Sequence, residues 1–233
     1  MELSPRLTKI AQLIPRGSVV ADIGTDHAYI PLYCFLNSVS DYAIAMDVNK
    51  GPLQRARENL KKYGFESKAE LRLSDGLEKL KKDEADVIVI AGMGGLLIRD
   101  ILEKGKSIIT SDTLLLIQPM IAPTELRDWL FFNGFDITDE YVVREENKFY
   151  NIFSVKKGIA DITPENRFVG KNLAKNCPET VESYLDFKIR VCNEIISGMN
   201  MSKNPDIHAI EKYMEEKKAY LDYKCTILKE VNN

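Results

Sequence analysis

Histidine is the scarcest chemistry-bearing residue in this sequence: the 233-residue chain holds two, beside four cysteines and a single tryptophan. The cysteines, Cys34, Cys177, Cys192 and Cys225, form no C-x-x-C pair, so no zinc-ligand spacing can be assembled and no metal is expected. They read as reduced, mostly buried thiols. No apolar run approaches the roughly 18 uncharged residues of a membrane span, and the opening MELSPRLTK lacks the apolar stretch of a secretory signal. The expectation is a cytoplasmic chain that stays out of the membrane. An excess of positive charge is missing too. With a net charge of -3, any contact with nucleic acid has to come from a local patch.

What is present is ordinary for a globular protein, 45% hydrophobic and 29% charged residues, in a length that suits one α/β domain with a smaller appendage. Short apolar, β-branched runs alternate with helix-like stretches, the pattern of a doubly wound parallel sheet covered on both faces. Strands are expected at 19–23, 42–47, 69–73, 86–90 and 114–118. Two further strands, 136–143 and 149–155 around the polar turn Arg144-Glu145-Glu146-Asn147, predict an antiparallel hairpin that closes the sheet.

After Gly158 the β signal stops. Apolar residues then recur at spacings of three and four: Val181, Leu185, Cys192, Ile195 and Met199, followed by Ile207, Ile210, Met214, Leu221, Leu228 and Val231. Two antiparallel helices, punctuated by Asn204-Pro205, fit this, with Lys217 and Lys224 interrupting the second stripe. The expected organisation is a sheet domain over residues 1–158 and a helical domain over 159–233.

In open α/β sheets ligands sit at the carboxyl ends of the strands. There, Val20-Ala21-Asp22-Ile23-Gly24-Thr25-Asp26-His27 runs from a strand into a turn, and Gly24 lets the backbone bend sharply near a ligand. Asp47 ends the second strand, where a carboxylate can accept both hydroxyl protons of a ribose. A pyrophosphate would need two more glycines in G-x-G-x-x-G, but Asp26 and Tyr29 occupy those positions. Two acids, Asp22 and Asp26, suit instead S-adenosylmethionine, which carries a sulfonium and an ammonium group and no phosphate. Asp75, before Gly76, could accept from the adenine amine. The run Ala91-Gly92-Met93-Gly94-Gly95 has almost no side-chain bulk, which lets an acceptor base approach, or else forms a flexible loop or a phosphate-binding helix start.

These segments resemble the bacterial tRNA (adenine-N1)-methyltransferase family that modifies adenosine 22 of the D-loop. The resemblance rests on Leu3-Ser4-Pro5-Arg6-Leu7, on Ala21-Asp22-Ile23-Gly24-Thr25-Asp26-His27-Ala28-Tyr29-Ile30-Pro31, on Ala45-Met46-Asp47, Ser74-Asp75-Gly76-Leu77, Ala91-Gly92-Met93-Gly94-Gly95 and Gln118-Pro119. It implies a Rossmann-like class I methyltransferase domain, a coiled-coil-like C-terminal domain, S-adenosylmethionine as cofactor and tRNA as substrate. A general methyltransferase pattern would place a second glycine at Asp26; the sequence departs from it there.

The expected cofactor site comprises Arg6, Asp22, Gly24, Asp26, His27, Asp47, Val48, Asp75, Gly76 and Gly92. For the transfer itself the candidates are Asp26, Gly92, Met93 and Tyr29. Asp26 could stabilise the cationic product base or take its N6 proton, or it could bind the cofactor ammonium or cap the next helix. His27 has the same choice between cofactor and cap, and Tyr29 could stack on a flipped base or simply pack. For RNA the candidates are Lys50, Arg55, Arg57, Lys61 and Lys62, a positive stretch broken only by Glu58, supplemented by Arg167, Lys171, Lys175, Lys217 and Lys218. The chain is expected to act as a monomer. A small-molecule methyltransferase and a non-catalytic nucleoside-binding scaffold remain as alternatives.

Overall fold

The computed structural model describes residues 1, 3–202 and 204–231. Seven strands form one sheet: β1 (Val20–Ile23), β2 (Ala43–Asp47), β3 (Ala69–Leu73), β4 (Val87–Met93), β5 (Leu114–Pro119), β6 (Phe135–Glu145) and β7 (Lys148–Lys157). The spatial order is β3-β2-β1-β4-β5-β7-β6. The first five strands pair in parallel and β5 meets β7 antiparallel, so the expected mostly parallel sheet with a closing hairpin is what the chain forms. The hairpin strands run longer than the sequence pattern predicts, leaving Glu146 and Asn147 at the turn, with Glu146 at φ 55°.

Nine helices are described: α1 (Pro5–Gln12), α2 (Tyr29–Leu36), α3 (Lys50–Lys62), α4 (Gly95–Gly105), α5 (Pro123–Phe132), α6 (Pro164–Phe168), α7 (Leu173–Asn176), α8 (Val181–Asn200) and α9 (Ile207–Val231). The residues of β1 and the first four of β2 and β4 are all buried, as expected for parallel strands covered on both faces. Ile23, Met46, Ile90 and Ile117 from the strands pack with Ile98, Leu102, Leu126 and Leu130 from α4 and α5. β1 lies between β2 and β4, so the winding of the chain reverses between β1 and β4. That switch point is where an open sheet leaves a crevice for a ligand.

Contacts divide the chain into two compact units, residues 1–138 with 143–160, and residues 139–142 with 161–233. Within the second unit α8 and α9 pack together, with Asn204-Pro205 in the connection between them, but α9 does not bury the predicted stripe. Of that stripe Ile210 is buried, whereas Ile207, Met214, Leu221 and Leu228 are exposed, and the side chain of Val231 lies outside those described. The buried face runs instead through Ile210, Glu216, Ala219 and Tyr220. Glu216 is tolerated because its carboxylate accepts from the Tyr220 hydroxyl at 2.8 Å and pairs with Lys188 of α8 at 3.3 Å. Lys224, one of the two interrupting lysines, pairs with Asp186 at 2.6 Å.

Candidate functional site

A cleft of about 320 Å³ opens at the carboxyl ends of β1 and β4, lined by Arg6, Leu7, Asp22, Gly24, Thr25, Asp26, His27, Tyr29, Ile30, Ala91 and Gly92. Ile23, the last residue of β1, pairs with Ile90, so the three further residues of β4, Ala91 to Met93, run on beside the turn that follows β1. Gly24 stands at φ +75°, and a Cβ there would lie 2.1 Å from the Met93 methyl carbon. The left-handed backbone favours glycine, and any side chain there would have to displace the end of the Met93 thioether.

Asp22 is the buried acid of the cleft. Burial pushes its carboxyl up to about 6, the Thr25 side chain offsets part of the rise, and the nearby Asp47 charge adds to it. Thr25, itself buried, is the side chain that reaches this carboxyl. A carboxylate held out of water beside a buried hydroxyl suits a cationic, hydrogen-bonding ligand such as the amino-acid end of S-adenosylmethionine.

The mouth of the cleft is organised from α3. Arg55 Nε donates to Asp26 Oδ1 at 2.9 Å, and Arg55 Nη2 donates to the same oxygen. One helical turn later Asn59 donates to the His27 carbonyl at 3.1 Å, since positions four apart share a helix face. The His27 Nε2 lies 3.4 Å from Asp26 Oδ2, and the imidazole stacks on Tyr29 with ring centroids 5.0 Å apart. Neither Asp26 nor His27 caps α2: the N-cap is Ala28, in a left-handed conformation with no side-chain bond. Arg55, though still partly exposed, is thus tied to the turn, and exposed Arg57 pairs with Glu66 at 3.5 Å, which leaves Lys50, Lys61 and Lys62 as the cations of the predicted RNA face with no such carboxylate pairing among the described residues.

On the opposite wall, buried Gln118 joins two elements. Its Oε1 accepts from Arg6 Nη1 at 3.0 Å and from the Gly92 amide at 3.2 Å, and its Nε2 donates to the Pro119 carbonyl at 2.9 Å. Arg6 also lies 3.8 Å from Glu145 and over the Tyr150 ring. The glycines of the Gly92–Gly95 run have internal reasons to be there: Gly92 is at φ +80°, and a Cβ on Gly95 would meet the Ala122 carbonyl oxygen at 2.5 Å.

The remaining predicted residues do not line this cleft. Asp47 Oδ1 accepts from the Asn49 amide at 2.7 Å, exposed Val48 follows it, and Asp75 pairs with Lys104 at 3.0 Å. Gly76, at φ +53°, is packed by Ile101. Sequence reasoning gave no role to Thr25, Asn59 or Gln118. Thr25 and Gln118 entered only within the segments that carry the family resemblance, although Gln118 also stands out as a polar residue ending the apolar run Leu114–Ile117. Among the described residues no group of three His, Cys, Asp or Glu could hold a metal, and no helix is long and apolar enough to cross a membrane.

A methyltransferase-domain family model matches residues 3–153. The Bacillus subtilis (strain 168) tRNA (adenine(22)-N(1))-methyltransferase is 43% identical over 161 residues, covering 69% of this chain and 68% of that protein. The crystal structure of the B. subtilis M1A22 tRNA methyltransferase TrmK superposes with a TM-score of 0.84 at 33% identity, over 96% of this chain and 99% of that one. The M. capricolum TrmK complex with S-adenosyl-homocysteine, the natural cofactor product, gives a TM-score of 0.79 at 28% identity, over 96% and 98%.

Proposed function

The chain belongs to the tRNA (adenine(22)-N(1))-methyltransferase family, and from that premise we propose that it methylates N1 of adenosine 22 in the tRNA D-loop with S-adenosylmethionine as donor. The observation that carries the reading is the cleft at the β1/β4 switch point, whose buried Asp22, the Thr25 hydroxyl beside it and second acid Asp26 suit a cationic, phosphate-free nucleoside. The cofactor supplies an electrophilic methyl group on sulfonium. Asp22 and Thr25 hold its amino-acid end in the cleft, and beyond it, at the ends of β2 and β3, Asp47 holds its ribose and Val48, Asp75 and Gly76 the adenine side. Arg6, Gly24, His27 and Gly92 shape the walls.

The attacking adenine N1 carries an in-plane lone pair, so no covalent nucleophile is needed and the task of the chain is alignment, an effect worth up to about 7–11 kcal/mol. Gly92 and Met93 form the acceptor side. Because Arg55 occupies Oδ1 of Asp26, the oxygen left for the cationic product base or its N6 proton is Oδ2, on the His27 side. Tyr29, half-stacked on His27 and partly exposed, offers a face to a flipped base. Lys50, Lys61 and Lys62, with Arg57, contact the RNA backbone. We assign residues 1–158 to the catalytic domain and 159–233 to the helical domain. The enzyme works as a monomer in the cytoplasm, where its substrate is.

The test is transfer of labelled methyl groups to unmodified tRNA with identification of the product nucleoside. Label in 1-methyladenosine at one D-loop position is expected. Cofactor binding without transfer to any tRNA would reject the reading in favour of a small acceptor.

A further inference from the structure

Beside the cleft the molecule exposes four large apolar side chains in one place. Leu96 and Leu97 begin α4, and Met120 and Ile121 follow β5; their exposures are 49%, 52%, 42% and 69%. The two segments are fastened backbone to backbone, with the Met120 amide donating to the Met93 carbonyl at 2.8 Å and the Gly95 amide to the Ile121 carbonyl at 2.9 Å. Ala122 is left-handed at φ 55°, and the Ile121 side chain stands 3.5 Å from where a Gly94 Cβ would be. The four exposed side chains thus stem from two segments fastened to each other, which form a rim next in sequence to Gly92, a residue that lines the cleft.

We infer that this rim seats the nucleobases flanking the target adenine once that base has left its stack, an inference that rests on the tRNA reading above. The first support is chemical. Neither 91–97 nor 117–122 contains a charged residue, so the surface suits the flat, neutral faces of bases and not phosphate. The second is geometric. N1 lies on the pairing edge of adenine, so the base must be extruded before N1 can reach the cleft, and its neighbours lose a stacking partner as it goes. Apolar side chains placed where those neighbours emerge replace the lost contact, as wedge residues do in proteins that unstack nucleic acid. The third is position: the rim adjoins the acceptor side of the cleft at Gly92–Gly95, while the stacked His27 and Tyr29 line the cleft itself.

The experiment compares the wild type with Met120→Ser/Ile121→Ser and Leu96→Ser/Leu97→Ser. Unmodified tRNA is bound at several salt concentrations, S-adenosylmethionine binding is followed by calorimetry, and 2-aminopurine replaces a base next to the target. The expected result is at least tenfold weaker tRNA binding for each pair, an unchanged salt slope because no phosphate contact is lost, unchanged cofactor affinity, and loss of the 2-aminopurine response seen with the wild type. Unchanged tRNA affinity in both pairs, while the wild type methylates tRNA normally, would overturn the inference alone. A wild type that neither binds nor methylates tRNA would overturn the underlying reading with it. A wild-type dimer that the substitutions dissociate, with tRNA affinity retained, would make the rim a self-interface instead.

Discussion

Arg55 grips Asp26 with two donors on one carboxylate oxygen, across 29 residues of sequence, at the mouth of the candidate cleft. Both side chains are partly exposed, and an exposed pair of this kind contributes only about 0–1 kcal/mol to stability. Arg55→Ala should therefore leave thermal unfolding nearly unchanged while lowering kcat at least tenfold, because Asp26 loses its orientation toward His27. Arg55→Lys, which keeps the charge but not the paired donors, should recover only part of the rate. Equal kcat in all three proteins would remove Asp26 orientation from the mechanism.

How far the sequence foretold this site depends on what each residue answers to. The strand ends were readable because parallel strands buried on both faces appear as unbroken apolar runs, so Asp22, Asp26 and Gly92 fall at one edge whatever else is known. Arg55 was not readable as a partner of Asp26. A cation on a solvent-facing helix looks the same in sequence whether it meets a phosphate or a carboxylate from another loop. The α9 face failed for a related reason. Periodicity counts apolar residues, whereas the buried positions Glu216 and Tyr220 owe their place to Lys188 on the neighbouring helix.

Asp22 should make the protein pH-sensitive in a defined window. Its carboxyl is raised from 3.8 to about 6 in the folded state, so the folded form favours the protonated acid. That contribution is fully present below about pH 4 and is lost as pH rises through about 6, at most about 3 kcal/mol for a shift of this size. Asp22→Asn should unfold at higher temperature than the wild type at pH 8, with the difference shrinking toward pH 4. Cofactor affinity should move the other way. It should fall about tenfold per unit in the wild type below pH 6 and be weak and pH-independent in the variant. Calorimetric scans and titrations across pH 4–8 measure both.

Gly24 and Met93 should behave as a coupled pair. Gly24→Ala incurs a left-handed backbone, roughly 1–2 kcal/mol, and a collision with the Met93 methyl. Gly24→Ala/Met93→Ala removes the collision and keeps the backbone cost, so the double variant should bind S-adenosylmethionine better than Gly24→Ala alone. A double-mutant cycle on cofactor affinity checks this; additive losses would show that the thioether is not what excludes a side chain at position 24.

In the helical unit the Lys188–Glu216 pair should be fragile one partner at a time. Burial pulls the Lys188 amine down, but Tyr184 and Glu216 outweigh it and leave the amine raised, so the lysine stays charged. Glu216→Ala leaves that charge buried without its partner and should lower stability by about 3–5 kcal/mol. Lys188→Met/Glu216→Leu, which removes both charges and keeps volume, should come within about 1.5 kcal/mol of the wild type. Chemical denaturation of the full chain distinguishes the two outcomes.

Gln118 provides the sharpest separation of positioning from folding. The amide is used at both ends: its oxygen holds Arg6 and the Gly92 amide, and its nitrogen is satisfied by Pro119. Gln118→Leu leaves the Gly92 amide and one Arg6 donor without their acceptor, so Arg6 and the Gly92 turn should both become mobile at the cleft wall. Gln118→Glu keeps the acceptor, and its charge strengthens the bond to Arg6, but it turns an oxygen toward the Pro119 carbonyl. The glutamate variant should therefore lose stability by an amount similar to leucine, about 1–3 kcal/mol for an unsatisfied buried polar group, yet retain cofactor affinity close to the wild type. Leucine should weaken cofactor binding tenfold or more at the same stability. If affinity follows stability in both variants, Gln118 serves the fold and not the cleft.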